Sequence, residues 1–164
     1  KHFSLSQGLL AVYGGRIWLD AEGLGHLALV FSIPVSKPRN ILILDDDQDT
    51  VDLYRRYLQR QGYAVHVGSD ASSLDAHLSE MTPDLVLLDV LMPKRDGWHV
   101  LQYLKMLPET MHVPVVVCSV LSQPRLALAL GASEVLIKPI DRETLLRTVR
   151  GLLPEQDSQG EDHR

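Results

Sequence analysis

Between residues 41 and 153, short apolar runs alternate five times with amphipathic segments, and this alternation constrains the fold more than any other feature. The first run, residues 41–44, is unbroken, which is typical of a strand buried on both faces. The segment that follows, residues 49–60, places Val51, Tyr54 and Leu58 on one helical face. Five such pairs predict a doubly wound α/β domain, in which helices cover both faces of a five-stranded parallel sheet.

The other predicted elements follow the same alternation and are bounded by turn and capping residues. Gly62 ends the first helix, and Asp70 and Asp141 are predicted to cap later helices. The remaining strands are expected at 63–67, 85–88, 115–118 and 135–137, and the remaining helices at 70–80, 97–106, 124–130 and 141–153.

Composition narrows the class of protein. Of the 164 residues, 45% are hydrophobic and 23% are charged, which is typical of a globular protein with a core. The net charge of −5 argues against nucleic-acid binding. A single cysteine, Cys118, excludes an intrachain disulfide and favours the cytoplasm.

The apolar runs are too short to cross a membrane, so we expect no membrane contact. Because the chain begins at Lys1, without a signal peptide pattern, we interpret it as part of a longer protein.

Polar residues follow the predicted strands at the edge of the sheet where ligands gather in such folds. Asp45 and Asp46 follow the first strand, Asp89 the third, Ser119 the fourth and Lys138 the fifth. A cluster of carboxylates is strained by repulsion, which a hard divalent cation such as Mg²⁺ relieves. A lysine and a hydroxyl beside that ion could bind an anion. The pattern therefore predicts a phosphoryl site.

Four segments of the sequence resemble the receiver domain of two-component response regulators across residues 39–153. In order they are ILILDDD, PDLVLLDVLMPKRDG, PVVVCS and GASEVLIKPI, and the signature residues of the second are Asp89, Met92, Pro93, Asp96 and Gly97. The resemblance implies a flavodoxin-like fold with strand order 2-1-3-4-5 and five helices.

The resemblance also implies roles for individual residues. Asp89 would accept a phosphoryl group from phosphohistidine on a histidine kinase or phosphotransfer domain, Ser119 would be the switch hydroxyl, and Lys138 would contact the phosphoryl group. The implied Mg²⁺ ligands are the Asp45, Asp46 and Asp89 carboxylates and the Leu91 backbone carbonyl. Output, and a homodimer if one forms, are expected through the fourth helix, fifth strand and fifth helix.

Three residues bear on how such a domain would respond. Val120 stands where the family usually has a small residue after the switch hydroxyl, and Val135 replaces the aromatic switch residue. A coupled rotation of Ser119 and an aromatic ring is therefore not expected in its usual form. The response to phosphorylation could instead depend on Ser119 and the backbone alone. Alternatively, the output of the domain could be phosphotransfer rather than a change at an allosteric surface. Leu91 could shield the phosphoryl group from water, so we hypothesise a long-lived phosphoaspartate.

The segment GGRIWLDAEGLGHLALVFSIPV, residues 14–35, resembles the end of a histidine-kinase ATP-binding domain. The resemblance implies a short helix over residues 2–13, a β-hairpin turning at Gly23 and Gly25, and a hybrid histidine kinase whose nucleotide-binding boxes lie upstream of Lys1. We expect this chain itself neither to bind ATP nor to act as a kinase. The predicted segments are the kinase remnant 1–36, a linker 37–40, the receiver domain 41–153 and a polar tail 154–164.

Two alternative functions stay open from the residues alone. A pseudo-receiver would keep the fold as an interaction module without phosphorylation, although every acceptor, metal and lysine position is filled. A haloacid-dehalogenase-like phosphatase also begins with an aspartate after an apolar strand. Its DxDxT pattern, however, requires threonine at position 49, where this chain has Asp49.

Overall fold

The computed structural model describes residues 16–22, 26–32, 37–68, 71–92, 96–120 and 123–153. The chain forms two compact units with a boundary between Lys37 and Pro38. In the first unit, β1 (Arg16–Glu22) and β2 (His26–Ser32) pair as an antiparallel hairpin, which confirms the predicted hairpin. The predicted helix over 2–13, the turn glycines and the polar tail lie outside the described residues.

The described part of the second unit contains five strands and five helices. The strands are β3 (Asn40–Leu44), β4 (Ala64–Gly68), β5 (Leu85–Leu88), β6 (Val115–Ser119) and β7 (Glu134–Ile137). The helices are α1 (Gln48–Gln59), α2 (Ala71–Glu80), α3 (Gly97–Met106), α4 (Pro124–Ala129) and α5 (Arg142–Leu152). No helix among the described residues is long and apolar enough to cross a bilayer.

The five strands form one sheet in the order β4-β3-β5-β6-β7, and every neighbouring pair is parallel. Counted from the first strand of this sheet, the order is 2-1-3-4-5, as predicted. The sheet is therefore flavodoxin-like, and its carboxyl edge gathers the residues that follow β3, β5, β6 and β7.

Alternate side chains of the central strands enter two separate cores. Leu42, Val86 and Val117 point to one face, where α2, α3 and α4 contribute buried residues. Ile43 and Leu87 point to the other face, where α1 and α5 cover them. Because both faces are buried, no polar residue interrupts these strands, and this explains the unbroken apolar runs in the sequence.

Three aspartates cap the starts of α1, α3 and α5. The Asp47 carboxylate accepts from the Asp49 backbone N–H at 3.2 Å, and those of Asp96 and Asp141 cap α3 and α5 in the same way. The predicted start of the first helix at residue 49 is wrong by one residue because Asp47 caps it at Gln48. The predicted cap at Asp70 lies outside the described residues.

The chain enters the sheet through a clamp made by Asp84. One carboxylate oxygen accepts from the Arg39 guanidinium at 2.8 Å, and the other accepts from the Asn40 backbone N–H at 2.7 Å. The Asp84 backbone N–H in turn donates to the Asn40 carbonyl at 2.8 Å. These bonds fix the first residue of β3 against the segment that leads into β5.

Candidate functional site

The five polar residues predicted at the strand ends lie together at the carboxyl edge of the sheet, and four of them stand directly at or after the ends of β3, β5, β6 and β7. Asp45 follows β3 and Asp89 follows β5, while Ser119 ends β6 and Lys138 follows β7. The Asp89 backbone N–H donates to the Leu44 carbonyl at 2.8 Å, and the Lys138 N–H donates to the Ser119 carbonyl at 3.0 Å. The backbone thus ties these ends together in pairs.

The Lys138 side chain, which follows β7, pairs with two carboxylates that follow β3 and β5. Its ammonium Nζ lies 2.7 Å from Asp45 Oδ2 and 2.7 Å from Asp89 Oδ2. Both carboxylates are almost fully buried, so these ion pairs form in surroundings where water screens charge weakly. The arrangement concentrates two negative charges and one positive charge at a single point of the sheet edge.

The second oxygen of each carboxylate is held by the backbone. Asp45 Oδ1 accepts from the Asp47 N–H at 3.0 Å, and Asp89 Oδ1 accepts from the Leu91 N–H at 2.8 Å. Each carboxylate is therefore oriented by one backbone donor and one ammonium donor. Such preorganisation reduces the cost of positioning a nucleophile.

For both Asp45 and Lys138, burial and hydrogen bonding shift the pKa in opposite directions. Burial raises the pKa of the Asp45 carboxyl above its usual value, even though the hydrogen bond from Lys138 opposes this shift. For Lys138, burial alone would lower the pKa, but the hydrogen bonds that its ammonium donates to Asp45 and Asp89 raise it overall. Lys138 is therefore positively charged at neutral pH.

The carboxylates also suit a hard divalent cation. One oxygen from each of Asp45, Asp46 and Asp89 lies within 4.8 Å of the others, and Asp46 is exposed to solvent. Oxygen ligands from one or two buried carboxylates with room for water are what Mg²⁺ prefers. The three predicted carboxylate ligands therefore fit the ion. The Leu91 carbonyl as a fourth ligand stays a prediction.

Gly97 brings α3 unusually close to the loop that carries Asp89. A Cβ atom added at Gly97 would lie 2.4 Å from the Val90 Cα and 2.6 Å from the Asp89 carbonyl oxygen. No other residue type fits without moving the backbone. Gly97 belongs to the family signature, but the sequence gives no signal of this packing role, which only the distance between α3 and the loop reveals.

Exposure to solvent differs strongly among Ser119, Val120 and Val135. Ser119 is buried at the end of β6, whereas Val120 is exposed immediately after it. Val135 is partly buried and packs against the core on the α4 face. Behind them, Cys118 is fully buried, and burial raises the pKa of its thiol to about 12. A thiol this basic is not a nucleophile at neutral pH.

The phosphatase alternative from the sequence depends on Asp47 and on position 49, which Asp49 occupies. Asp47, the second acid of the phosphatase pattern, accepts from the Thr50 hydroxyl at 2.6 Å and caps α1. Asp49 lies in the first turn of that helix. Both are thus parts of the helix start, and the Lys138 ammonium pairs with Asp45 and Asp89 instead.

Comparisons with known proteins identify the family. A family model described as the response regulator receiver domain matches residues 41–150. The DNA-binding dual master transcriptional regulator RpaA of Synechocystis sp. is 37% identical over 120 residues, which cover 71% of this chain and 50% of that protein. Response regulator PleD of Caulobacter vibrioides is 39% identical over 115 residues, covering 68% and 25%. The chain spans half or less of the length of these relatives.

Solved structures agree with the sequence relatives. The signal receiver domain of a signal transduction histidine kinase from Syntrophus aciditrophicus superposes with a TM-score of 0.66 at 29% identity, covering 77% of this chain and 98% of that one. Chemotaxis response regulator CheY4 of Vibrio cholerae gives a TM-score of 0.66 at 25% identity, covering 71% and 99%. The chain therefore belongs to the response regulator receiver domain family of two-component systems.

Proposed function

We propose that Asp89 accepts a phosphoryl group from phosphohistidine on a histidine kinase or a phosphotransfer domain. The observation that carries this proposal is the Lys138 ammonium, which lies 2.7 Å from both Asp45 and Asp89. It places a fixed positive charge beside the one carboxylate that follows the central strand β5. Family membership supports the same role.

The transfer requires little covalent chemistry from the protein. An oxygen of Asp89 bonds to phosphorus while the bond from phosphorus to the histidine nitrogen breaks. That nitrogen keeps the electron pair, and the ring, protonated on its other nitrogen, leaves as neutral imidazole. Positioning and charge neutralisation provide most of the rate in such transfers. In this chain, the backbone donors at Asp47 and Leu91 position the carboxylates, and Lys138 neutralises them.

We further propose that Asp45, Asp46 and Asp89, with the Leu91 carbonyl, hold Mg²⁺. When bound, the ion supplies positive charge against the carboxylates and the phosphoryl oxygens. Ser119 is proposed to donate a hydrogen bond to the phosphoryl group. Because Val135 replaces an aromatic residue, the response would pass through Ser119 and the loop after β6 without ring rotation.

Acetyl phosphate with Mg²⁺ tests the acceptor role directly. We expect intact-mass measurements to show the addition of one phosphoryl group, and Asp89→Asn to abolish it. Asp52→Asn is the matched control, since Asp52 is an exposed aspartate of α1 outside the site, and it should be phosphorylated normally. An unmodified native protein would instead favour the pseudo-receiver alternative.

The exposed side chain of Leu91 supports the hypothesis of a long-lived phosphoaspartate. An apolar group beside the phosphoryl group limits approach of water, whereas an amide can hydrogen-bond to an attacking water molecule. We expect Leu91→Asn to shorten the phosphoaspartate half-life several-fold, measured by phosphate release after donor removal. A longer half-life in Leu91→Asn than in the native chain would contradict the hypothesis.

We also propose that residues 1–36 are the end of a histidine-kinase ATP-binding domain, joined by the linker 37–40 to the receiver domain 41–153, with a polar tail over 154–164. The β1–β2 hairpin supports this, as does the similarity to a receiver domain from a histidine kinase. Sequencing the coding region upstream of Lys1 tests it. Nucleotide-binding boxes and a phosphoacceptor helix are expected, and a different upstream domain would refute the hybrid kinase.

A further inference from the structure

Two histidines from different elements lie side by side where α2 covers the edge strand β4, and we name them the histidine pair. His66 belongs to β4 and His77 to α2, and their ring centres are 6.5 Å apart in an edge-to-face arrangement. Both side chains are half-buried. His66 pairs with Leu42 of β3, whereas the acid cluster begins only after Leu44. The pair therefore shares no residue with the proposed phosphoacceptor site.

The nitrogen Nε2 of each ring lies beside a carbonyl oxygen. His77 Nε2 is 3.0 Å from the Val67 backbone oxygen, and His66 Nε2 is 3.3 Å from Asn40 Oδ1. A carbonyl oxygen accepts hydrogen bonds and cannot donate them. In each neutral ring the proton is therefore on Nε2, and Nδ1 carries a lone pair.

The position of His77 follows from the place of β4 at the edge of the sheet. The Ala64 N–H and the Gly68 carbonyl bond to the chain at the two ends of β3, so the Val67 carbonyl points the other way, toward the open edge. A buried carbonyl without a donor is unfavourable. His77 supplies that donor, and this bond holds its ring beside His66.

The two Nδ1 atoms are the unused groups of this arrangement. Among the residues that the structure describes, neither Nδ1 has a hydrogen-bond donor. An imidazole that donates its other N–H to a carbonyl is the usual form of a metal-binding histidine, because that bond fixes both tautomer and orientation. Imidazole nitrogen suits Zn²⁺, Cu²⁺ and Ni²⁺, whereas Mg²⁺ prefers oxygen.

A small movement of α2 would bring the rings to bonding distance of one ion. Nitrogen ligands lie about 2.1 Å from Zn²⁺ in tetrahedral geometry, which places two ring centres about 5 Å apart. The rings would therefore approach each other by about 1 Å. Of the side chains that the structure describes in α2, Leu74 alone is fully buried. A helix with so little buried apolar surface moves at low cost.

We propose that His66 and His77 bind a divalent transition ion such as Zn²⁺ through their Nδ1 atoms, with water completing the coordination. The ion would tie α2 to the edge strand β4. This site differs in chemistry from the acid cluster, because it offers nitrogen in place of oxygen. The inference does not depend on phosphorylation of Asp89.

Titration calorimetry of the full chain with Zn²⁺ tests the site. Excess Mg²⁺ in the buffer occupies the carboxylates, so that Zn²⁺ reports on nitrogen ligands. We expect His66→Gln and His77→Gln each to weaken Zn²⁺ binding at least about tenfold. Glutamine is chosen because its amide N–H can still donate to the carbonyl that the ring now contacts. His112→Gln, at an exposed position between α3 and β6, is the control and should keep the native affinity.

Nuclear magnetic resonance of the native chain tests the same site without a substitution. Long-range nitrogen spectra should show both rings in the Nε2–H form before metal is added. Zn²⁺ should then shift Nδ1 of both rings and slow amide hydrogen exchange in α2 about tenfold, with no change in α5.

Three results would overturn the proposal. The first is a Zn²⁺ affinity that both glutamine variants retain while circular dichroism shows them folded. The second is a spectrum in which Zn²⁺ shifts one ring of the pair or neither. The third is an Nδ1–H tautomer in either ring of the metal-free chain, because that nitrogen would have no lone pair for a metal.

Discussion

Helices α4 and α5 lie on opposite faces of the same sheet, but they are held to it very differently. α5 has eleven residues, begins at the Asp141 cap, and buries Leu145, Leu146 and Val149. α4 has six residues, begins without a side-chain cap, and buries Ala127 alone. Its Leu128 is 53% exposed. Most of the apolar surface of α5 stabilises the fold, whereas most of that of α4 does not.

The difference indicates where this domain can change shape at low cost. Local opening requires little free energy where few apolar groups are buried. The α4 side, together with the edge strand β7, meets this condition, and β7 pairs with β6 at Ser119. A response to phosphorylation would therefore move α4 and β7 before it moved α1 and α5.

The largest effect should come from truncating Leu145 of α5, for which the same truncation of Leu128 in α4 is the comparison. Leu145 is fully buried, so Leu145→Ala should lower the free energy of unfolding by about 2–5 kcal/mol. Leu128→Ala should change it by less than about 0.5 kcal/mol, because the side chain is already half exposed. Urea denaturation measures both. Equal losses would show that α4 is held as firmly as α5.

A smaller effect is expected where α3 packs on the loop that carries Asp89. Gly97→Ala forces a methyl group into the Asp89 and Val90 backbone and should cost about 1–3 kcal/mol. It should also slow phosphorylation by acetyl phosphate, because Asp89 is displaced. Gly151→Ala in α5 is the control, since a Cβ there meets nothing within 4 Å. A Gly97→Ala chain as stable and as reactive as the native one would contradict this packing.

Lys138 connects the edge strand β7 to the central strands β3 and β5, because it follows β7 and pairs with Asp45 and Asp89. We expect Lys138→Met to increase amide hydrogen exchange in β7 and α4 about tenfold, equivalent to about 1.4 kcal/mol. Exchange in α1 and α5 should stay unchanged. Arg147→Met, which removes an exposed cation of α5, is the control. Uniform acceleration across the domain would argue against a local link.

The smallest change is expected in the reactivity of Cys118, which is buried in the core that α1 and α5 cover. With a thiol pKa raised to about 12, the thiolate is scarce near neutral pH, and its reactivity should increase as pH rises toward that value. An aromatic disulfide reagent at pH 8 should label the folded chain far more slowly than the urea-unfolded chain. Rapid labelling of the folded chain would show that this face opens readily.

The strands were predictable where burial on both faces left an uninterrupted apolar run. The prediction for β5 matches its observed bounds, Leu85–Leu88. The prediction for β7 began one residue late, because this edge strand starts with exposed Glu134, which gives no apolar signal. The predicted end of α4 lies one residue too far, because Leu130, the C-cap that follows the helix, is apolar and continues the pattern.

The site was predictable in its positions but not in its contacts. Parallel strands deliver their ends to one edge, so Asp45, Asp89 and Lys138 had to be neighbours once the sheet order was known. The sequence suggested that Lys138 would bind an anion beside a metal. The structure shows that its ammonium pairs with both carboxylates, which depends on side-chain conformations that spacing does not encode.

The Asp84 clamp at the beginning of β3 has a mechanical consequence. Tension applied to the chain at Lys37 or Pro38 would load the bonds from Arg39 and Asn40 to Asp84 first. The load would then spread to two strands at the amino edge, at the opposite end of β3 from Asp45. The Asp84 bonds thereby separate the carboxylates of Asp45 and Asp89 from a force applied at the start of the domain.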